Sequence, residues 1–415
     1  MLAVGSRGDV EPYVALALGL RDAGYDVLLA THARFRALVE ERGLAFAELE
    51  GDPRALMDDE AGRAWLESGA SLLAFWRHFG PLLDSFWDRS VASAQAACVG
   101  AEAIVYSALG FAGWHIAEAM GVRAVAAYLQ PVTPTRAFPS SMGPPRRRLP
   151  GRVNVATHVV AAQAFWQVYR RRTNAWRRDT LGLEPLPFLG PFGRMGRERT
   201  PVLYGYSPAV VPRPADWPPW VEVTGYWFTP PTPGWTPPAE VEDFLAAGEA
   251  PVVVGFGSMR PRDPARLAET VLAALGRTRR RAIVQAGWAE LGGIEGSDQV
   301  LAVGELPHGW LFPRARALVH HGGAGTTGAG LRAGRAAAIA PFFADQFFWA
   351  ARVARLGAGP PFVPQENLTP ERLGAAIERA AGDPGLAARA AELGRAIAAE
   401  DGVARAVEAF RRHVG

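Results

Sequence analysis

Apolar positions along this chain follow two rhythms that alternate from one end to the other. Short unbroken apolar runs read as buried strands, and longer stretches with apolar residues three or four apart read as helices. Leu2-Ala3-Val4 is a strand remnant with little chain ahead of it, so the first strand is expected to be short. The loop Gly5-Ser6-Arg7-Gly8 comes next. A helix then runs from about Val10 to Ala23, carries Val14, Leu16, Leu18 and Leu20, and stops at Gly24. Asp26-Val27-Leu28-Leu29-Ala30-Thr31 is the following strand, and a helix starting near Ala33 ends at Gly43. Ala103-Ile104-Val105-Tyr106 and Ala124-Val125-Ala126-Ala127 are strands on either side of a helix from Phe111 to Met120. Residues 61–98 and 152–182 read as helices rich in aromatic side chains. Trp65, Phe75, Trp76, Phe79, Phe86 and Trp87 belong to the first, and Phe165, Trp166, Tyr169 and Trp176 to the second.

The rhythm breaks between Pro208 and Pro238, a stretch dense in Pro, Trp and Gly that reads as a linker. A second series starts with Pro251-Val252-Val253-Val254-Gly255-Phe256-Gly257-Ser258. It continues through Ala282 to Ala286, Val300 to Val303, Ala317 to His320 and Ala336 to Ala340, with helices between. The tail from Pro370 to Val414 is helical and rich in Ala, Arg and Glu, with a break near Gly382-Asp383-Pro384-Gly385. This β-α-β alternation predicts an α/β fold of two doubly wound parallel sheets. The expected division is a first domain over 1–207, a linker over 208–240 and a second domain over 241–395. A terminal helix over 396–415 is expected to pack back on the first domain. Ligands of open α/β sheets bind beyond the carboxyl ends of the strands, so the strand-end loops of both halves are expected to share one cleft.

Composition narrows the functions open to such a fold. Apolar residues make up 49% of the chain and charged residues 20%, the balance of a well-buried globular protein. No apolar run approaches the roughly 20 residues that a membrane-spanning helix needs. All 44 basic residues are arginine. Without lysine there is no Schiff-base chemistry, no pyridoxal phosphate anchor and no P-loop lysine. A formal charge of +3 coexists with a pI near 9.3 because arginine does not titrate in this range and few other groups do. The runs Arg146-Arg147-Arg148, Arg170-Arg171-Arg172 and Arg279-Arg280-Arg281 are scattered rather than grouped with aromatics. They read as solvated surface, and no nucleic-acid partner is expected. The first run lies in a Pro-rich loop, where a peripheral contact with anionic lipid would fit. The single cysteine, Cys98, rules out an internal disulfide, and Met1 to Val4 carry no basic leader. Both features point to the cytoplasm.

Strand-end loops carry the candidate chemistry. His320-His321-Gly322-Gly323-Ala324-Gly325-Thr326-Thr327 is a Gly-rich turn between a strand and a helix. Such a turn presents unpaired N–H groups and the positive end of a helix dipole, which suits a phosphate or diphosphate. His320 sits at its mouth, where the imidazole can donate to a phosphoryl oxygen. Gly5-Ser6-Arg7-Gly8-Asp9-Val10-Glu11-Pro12 and Gly255-Phe256-Gly257-Ser258 follow the first strand of each half. Pro341-Phe342-Phe343-Ala344-Asp345-Gln346 follows the strand after the turn. Asp9 and Asp345 can each be read as helix caps or as chemical groups, and a carboxylate near a helix N-terminus has its basicity lowered. No Asp-x-Asp occurs and no His/Cys cluster has ligand spacing, so no metal residues are assigned and no cofactor is expected.

In combination and in this order, six segments make the chain resemble the GT-B glycosyltransferases that use nucleotide sugars, in the UDP-glycosyltransferase superfamily. They are Gly5 to Pro12, Ala30 to Phe35, Gln130 to Thr135, Leu306 to Pro313, His320 to Thr327 and Asp345-Gln346. The similarity covers nearly the whole chain and is greatest to the branch of sterol glucosyltransferases and glycopeptide-antibiotic glycosyltransferases. It implies two Rossmann-like domains facing across a cleft. It also implies inverting, metal-independent transfer of a hexose, glucose from UDP-glucose, to a hydroxyl of an apolar acceptor such as a sterol or another polycyclic lipid or natural product.

The resemblance further implies roles for single residues. Asp9 would be the base. Many relatives read Gly-His-x-x-Pro where this chain has Gly8-Asp9-Val10-Glu11-Pro12, while the sterol and antibiotic branches have Asp. A carboxylate there can take the acceptor proton in concert with attack on the anomeric carbon. The diphosphate would lie on His320, Gly322, Gly323, Ala324, Gly325 and Thr326, with Ser6, Arg7, Gly8 and Ser258 beside it. Asp345 and Gln346 would bind sugar hydroxyls. Glu305, Leu306, Pro307 and His308 would hold the nucleobase, largely through backbone groups. Phe75, Trp76, Phe79, Phe111 and Gln130 would line the acceptor pocket. The leaving diphosphate would be stabilised by N–H groups, His320 and the helix dipole. Two other activities share such a fold: a sugar-nucleotide epimerase, which needs no apolar acceptor, and a non-catalytic sugar-nucleotide binder, which needs no base.

Overall fold

The structure, a computed structural model, describes residues 1–52, 86–143, 149–232, 234–257, 259, 263–285 and 298–415. Phe75, Trp76, Phe79, Ser258 and the run Arg146 to Arg148 lie outside the described residues.

In the first half, β1 (Leu28–Thr31) pairs in parallel with β2 (Ala45–Glu48). Strands β3 (Ala103–Tyr106), β4 (Arg123–Tyr128), β5 (Val202–Tyr204) and β6 (Val221–Val223) follow one another in a parallel group. The short N-terminal stretch joins the two groups, because Leu2 bridges Ala30 on one side and Tyr106 on the other. Leu2 N–H donates to the Val105 carbonyl at 2.8 Å, and Ala3 N–H donates to the Ala30 carbonyl at 3.0 Å. Both residues are buried. The chain leaves this central strand toward β1 on one side and returns to β3 on the other. Such a reversal opens a crevice at the strand's carboxyl end. Gly5 to Gly8 stand at that crevice.

In the second half, β7 (Val252–Gly255), β8 (Ala282–Gln285), β9 (Val300–Val303), β10 (Ala317–His320) and β11 (Ala337–Ile339) form a parallel sheet in the order β11-β10-β7-β8-β9. The unbroken apolar runs follow from burial on both faces. Here the order reverses between β7 and β10, where Gly255 and His320 are register partners. The Gly255-Phe256-Gly257 loop and the His320 turn are therefore brought together by topology.

One expectation about organisation changes. The Pro/Trp-rich stretch is not all linker: Val221-Glu222-Val223 is strand β6, so the first sheet runs past the expected boundary at 207. A three-residue strand between prolines carries too little pattern to be read in advance. The tail breaks at Asp383, whose carboxylate accepts from the N–H groups of Gly385 (2.8 Å) and Leu386 (3.3 Å) to cap the helix Pro384–Ala398. The last helix, Gly402–Val414, then crosses to the first half and lies on the helix Arg7–Asp22. Its Ala406, Val407, Ala409 and Phe410 share a core with Val10, Tyr13, Val14 and Leu18. The close approach needs Gly19, where a Cβ would collide with Val403. Among the described residues, no helix is long and apolar enough to cross a membrane.

Candidate active site

The first wall of the cleft is the N-terminus of the helix Arg7–Asp22. Asp9 is its third residue, and its Oδ2 accepts from both the backbone N–H and the hydroxyl of Ser6, each at 2.8 Å. This is the return arm of a capping box. Both bonds fall on one oxygen, which leaves Oδ1 for other work. Gly5 makes the arrangement feasible. Its φ is +143°, and a Cβ there would sit 2.6 Å from both Cβ and Oδ2 of Asp9. Burial raises the Asp9 pKa; the two Ser6 bonds and the charge of Arg34 oppose it. The lowered basicity expected at a helix N-terminus is thus outweighed by desolvation. Arg34 also donates to the Gly5 carbonyl at 2.8 Å and pairs with Asp52 at 3.1 Å, which pins the loop from β1.

The facing wall is the turn after β10. Gly322 has φ +91°, and its N–H donates to His320 Nδ1 at 3.0 Å. An accepting Nδ1 places the imidazole proton on Nε2. Nε2 is buried and has no hydrogen-bond partner among the described residues. Burial, then the neighbouring His321 and His308, push the His320 pKa down to about 3, so the ring is a neutral donor. The first bond of the helix Ala324–Arg332 runs from Thr327 N–H to the Gly323 carbonyl at 2.9 Å. The N–H groups of Ala324, Gly325 and Thr326 stay outside the helical ladder. His321 wedges between the two glycine loops. A Cβ on Gly257 would lie 3.2 Å from its Cε1, and one on Gly323 would lie 2.5 Å from its Nε2. Burial pushes the His321 pKa down to about 4.

The two helix N-termini meet across the cleft. A Cβ on Gly325 would come within 3.4 Å of the Gly8 carbonyl oxygen. Two positive dipole ends and a buried neutral N–H donor converge there, which is a setting for a dianionic group. Among the described residues, no group of three or more His, Cys, Asp or Glu could hold a metal ion.

Other expected residues have partners within the chain. Arg7 and Glu305 hold each other: Nη1 of Arg7 donates to Glu305 Oε2 at 2.8 Å, and Nε donates to Glu11 Oε2 at 3.3 Å. Glu305 faces solvent and ties the second half to the first rather than standing free beside a base. The Leu306 carbonyl accepts from Gln285 Nε2 at 3.1 Å. His308 stacks on Phe312 at 4.3 Å, and burial pushes its pKa down to about 4.

Asp345 and Gln346 open the helix Gln346–Leu356 after β11. Asp345 sits at the N-cap position, yet its side chain makes no capping bond. Its Oδ2 accepts from the Trp349 indole N–H at 3.0 Å. Burial, then the charge of Asp9, push its pKa up to about 6, against the pull of the Trp349 bond. The preceding Ala344 holds φ +53°, a left-handed conformation costing an alanine about 1–2 kcal/mol. Strain of this kind clusters at functional loops. Gln346 is engaged within the second half. It is buried, its Oε1 accepts from the N–H groups of Phe342 (2.8 Å) and Phe343 (3.4 Å), and its Nε2 donates to Met259 Sδ at 3.1 Å. It braces the loop that carries Asp345.

Of the residues expected to line an acceptor pocket, Phe111 stands in an aromatic cluster with Trp87 (5.5 Å), Phe165 (5.2 Å) and Tyr169 (5.2 Å). Beneath it, the fully buried Arg177 donates to His115 Nδ1 at 3.0 Å and to Glu118 at 2.7 Å. Gln130 is half-buried beyond the end of β4. The Tyr204 hydroxyl accepts from the N–H groups of Val132 (3.1 Å) and Thr133 (2.8 Å) and so fixes the loop that Gln130 begins. The motif reading overlooked this hydroxyl, the His115–Glu118–Arg177 network and Trp349. Only Trp349 left a signal, its spacing of four residues from Asp345 on one helix.

Comparison with known proteins agrees with this geometry. The glycosyltransferase family 28 N-terminal domain matches residues 1–139, and the erythromycin biosynthesis protein CIII-like C-terminal domain matches residues 269–409. A sterol 3-beta-glucosyltransferase from Aspergillus fumigatus is 37% identical over 423 residues, covering 99% of this chain and 29% of its own length. The chain thus spans less than a third of that relative. Among solved structures, the glycotransferase of kitacinnamycin has a TM-score of 0.71 at 20% identity, covering 100% of this chain and 98% of its own. The glycosyltransferase VinC, solved in complex with dTDP, has a TM-score of 0.65 at 20% identity with the same coverage. The two α/β halves, the paired switch-point loops and these matches place the chain among the glycosyltransferases built of a family 28 N-terminal domain and a CIII-like C-terminal domain, with the GT-B fold.

Proposed function

We propose that this chain transfers a hexose, glucose from UDP-glucose, to a hydroxyl of an apolar acceptor such as a sterol or another polycyclic lipid or natural product. The relatives named sterol 3-beta-glucosyltransferases favour glucose and a sterol, and the dTDP in VinC favours a nucleoside diphosphate as the leaving group. The observation that carries the reading is Asp9: a half-buried carboxylate with one oxygen fixed by Ser6, placed where two helix N-termini meet. In this reading the diphosphate rests on the N–H groups of Ala324, Gly325 and Thr326 and on the Nε2–H of His320. Asp345 accepts from sugar hydroxyls. The acceptor oxygen attacks the anomeric carbon as Asp9 takes its proton, and the bond from that carbon to the diphosphate breaks with its electron pair leaving on the phosphate oxygen. One displacement inverts the α-linked donor to a β-glycoside. The leaving charge is met by fixed dipoles and one neutral imidazole, with no metal needed. The aromatic cluster around Phe111 suits an apolar acceptor.

The test is incubation of the chain with labelled UDP-glucose and a sterol, with and without excess EDTA, followed by proton NMR of the product. A β-glucoside formed at the same rate under both conditions is expected. Retained α configuration, or loss of turnover restored by magnesium, would refute the mechanism. An altered nucleotide sugar with no acceptor consumed would favour an epimerase, and no conversion at all a binding protein.

A further inference from the structure

Asp345 has a side chain that could cap its own helix and does not. It turns instead to Trp349, one turn on, and takes the indole N–H on Oδ2 at 3.0 Å. That leaves Oδ1 pointing away from the bond, as the corresponding oxygen of Asp9 is left by Ser6. Trp349 is fully buried; its ring meets Phe348 of its own helix at 5.2 Å and, on another side, a ring from the other half of the molecule. Tyr206, also fully buried and just beyond β5, meets the indole edge to face at 5.9 Å and 66°. The same helix lies on the first half at two further points. Phe348 packs on Phe138 at 5.7 Å, and Arg352 donates to the Val210 carbonyl. The rotamer of Trp349, and with it the direction of the Asp345 carboxylate, is therefore set at the junction of the two halves.

We propose that Trp349 is a positioning residue that aims the Asp345 carboxylate at the donor sugar, and that Tyr206 clamps it from the first half, so that recognition of the sugar is completed only when the halves are docked. The proposal rests on the reading that Asp345 binds the sugar. A freely rotating Asp at a helix N-cap would turn to the N–H groups of its own first turn. The indole bond competes with that, and the Tyr206 ring keeps the indole in place. Recognition of the diphosphate, by contrast, uses the turn after β10 and does not pass through Trp349.

The test separates the sugar from the nucleotide by titrating both UDP and UDP-glucose. Trp349→Phe keeps an apolar ring and deletes the N–H. It should weaken UDP-glucose roughly tenfold, as expected for a hydrogen bond to a charged group, and leave UDP within about twofold. Tyr206→Leu keeps the indole N–H, loosens the ring, and should give a smaller loss confined to UDP-glucose. It also serves if Trp349→Phe folds poorly. Asp345→Asn should weaken UDP-glucose alone, and adding Trp349→Phe to it should cost nothing more, because the two act through one group. Loss of the indole bond also removes a contact that favours the ionised carboxyl. The acid limb of UDP-glucose binding should therefore move to higher pH in Trp349→Phe, with Asp9 the other carboxyl whose charge reaches Asp345. A residue that merely packs would not shift that limb. Equal weakening of UDP and UDP-glucose in Trp349→Phe, or losses that multiply in the double variant, overturns the proposal while the role of Asp345 stands. An unchanged preference for UDP-glucose in Asp345→Asn removes the sugar-binding role itself, and the proposal with it.

Discussion

Asp9 and Asp345 are carboxylates made less willing to ionise by burial, and Asp345 also feels the charge of Asp9. The consequences differ. A base must be ionised, so transfer should fall as pH drops through the raised pKa of Asp9, at a higher pH than an ordinary aspartate would give, and stay level above it. Asp9→Asn can still accept from Ser6, so folding should be preserved and UDP affinity unchanged, while transfer drops about 10²–10⁴-fold. If Asp9 only braces the helix start, Asn serves as well and initial rates barely move. Asp345 gives a stability prediction. Its folded pKa is raised from 3.8 to about 6, so the folded state holds more protons between those values and stability falls as pH rises through them. Above pH 6 the cost is fully present. Asp345→Asn removes it and should stabilise the protein by roughly 1–3 kcal/mol at pH 7, with the gain shrinking toward pH 4. Thermal unfolding of both forms across that range checks this, and a constant difference at all pH values would contradict it.

The turn after β10 shows what an element adds to its residues. Gly322 hands its N–H to His320 Nδ1, which fixes the tautomer, and burial keeps the ring neutral. His320→Ala should weaken UDP binding by about 1.5–3 kcal/mol. The terminal phosphate of UDP itself titrates at about pH 6, so the pH dependence of UDP affinity should be the same in the unmodified protein and in His320→Ala. Calorimetry of both at pH 5.5 and 7.5 tests both statements, and a rise in affinity at the lower pH that His320→Ala abolishes would mean that a charged imidazole binds the phosphates. This turn was legible because its glycines follow a clear strand and open a helix. The helices Arg7–Asp22, Ala112–Met120 and Gly151–Asp179 were legible from their apolar spacing. Strands β2, β5 and β6 were not: β2 and β6 each include a glutamate and β5 is a three-residue run between Pro201 and Gly205, so none shows the longer unbroken apolar run that marked the other strands. The bracing contacts of Gln346 were hidden for a different reason. One of its amide N–H groups goes to Met259, 87 positions earlier in the chain, and no local pattern announces such a contact. The mutual pairing of Arg7 and Glu305 was hidden in the same way, in the docking of two halves.

At the scale of the molecule, the last helix decides how the halves are held. Gly402–Val414 returns from the second half to the helix whose first turn carries Asp9. Two kinds of contact fix it there. One is apolar: Phe410 is buried and meets Tyr25 edge to face at 5.2 Å. The other is ionic: Arg412 and His413 reach Glu222 of β6 at 2.6 Å and 2.9 Å. Magnitudes say which matters. A half-exposed ion pair contributes about 0–1 kcal/mol, whereas removing a buried Phe side chain costs about 3–5 kcal/mol. Phe410→Ala should therefore lower the unfolding midpoint of the protein far more than Glu222→Gln. The damage should be directional. The proposed UDP site is built on the second sheet, so a titration of Phe410→Ala with UDP at low temperature should give near-normal affinity. Transfer should fall, because the helix that aims Asp9 loses its support. Urea unfolding followed beside UDP calorimetry distinguishes the outcomes. If Glu222→Gln destabilises as much as Phe410→Ala, the ionic contacts and not the shared core hold the returning helix.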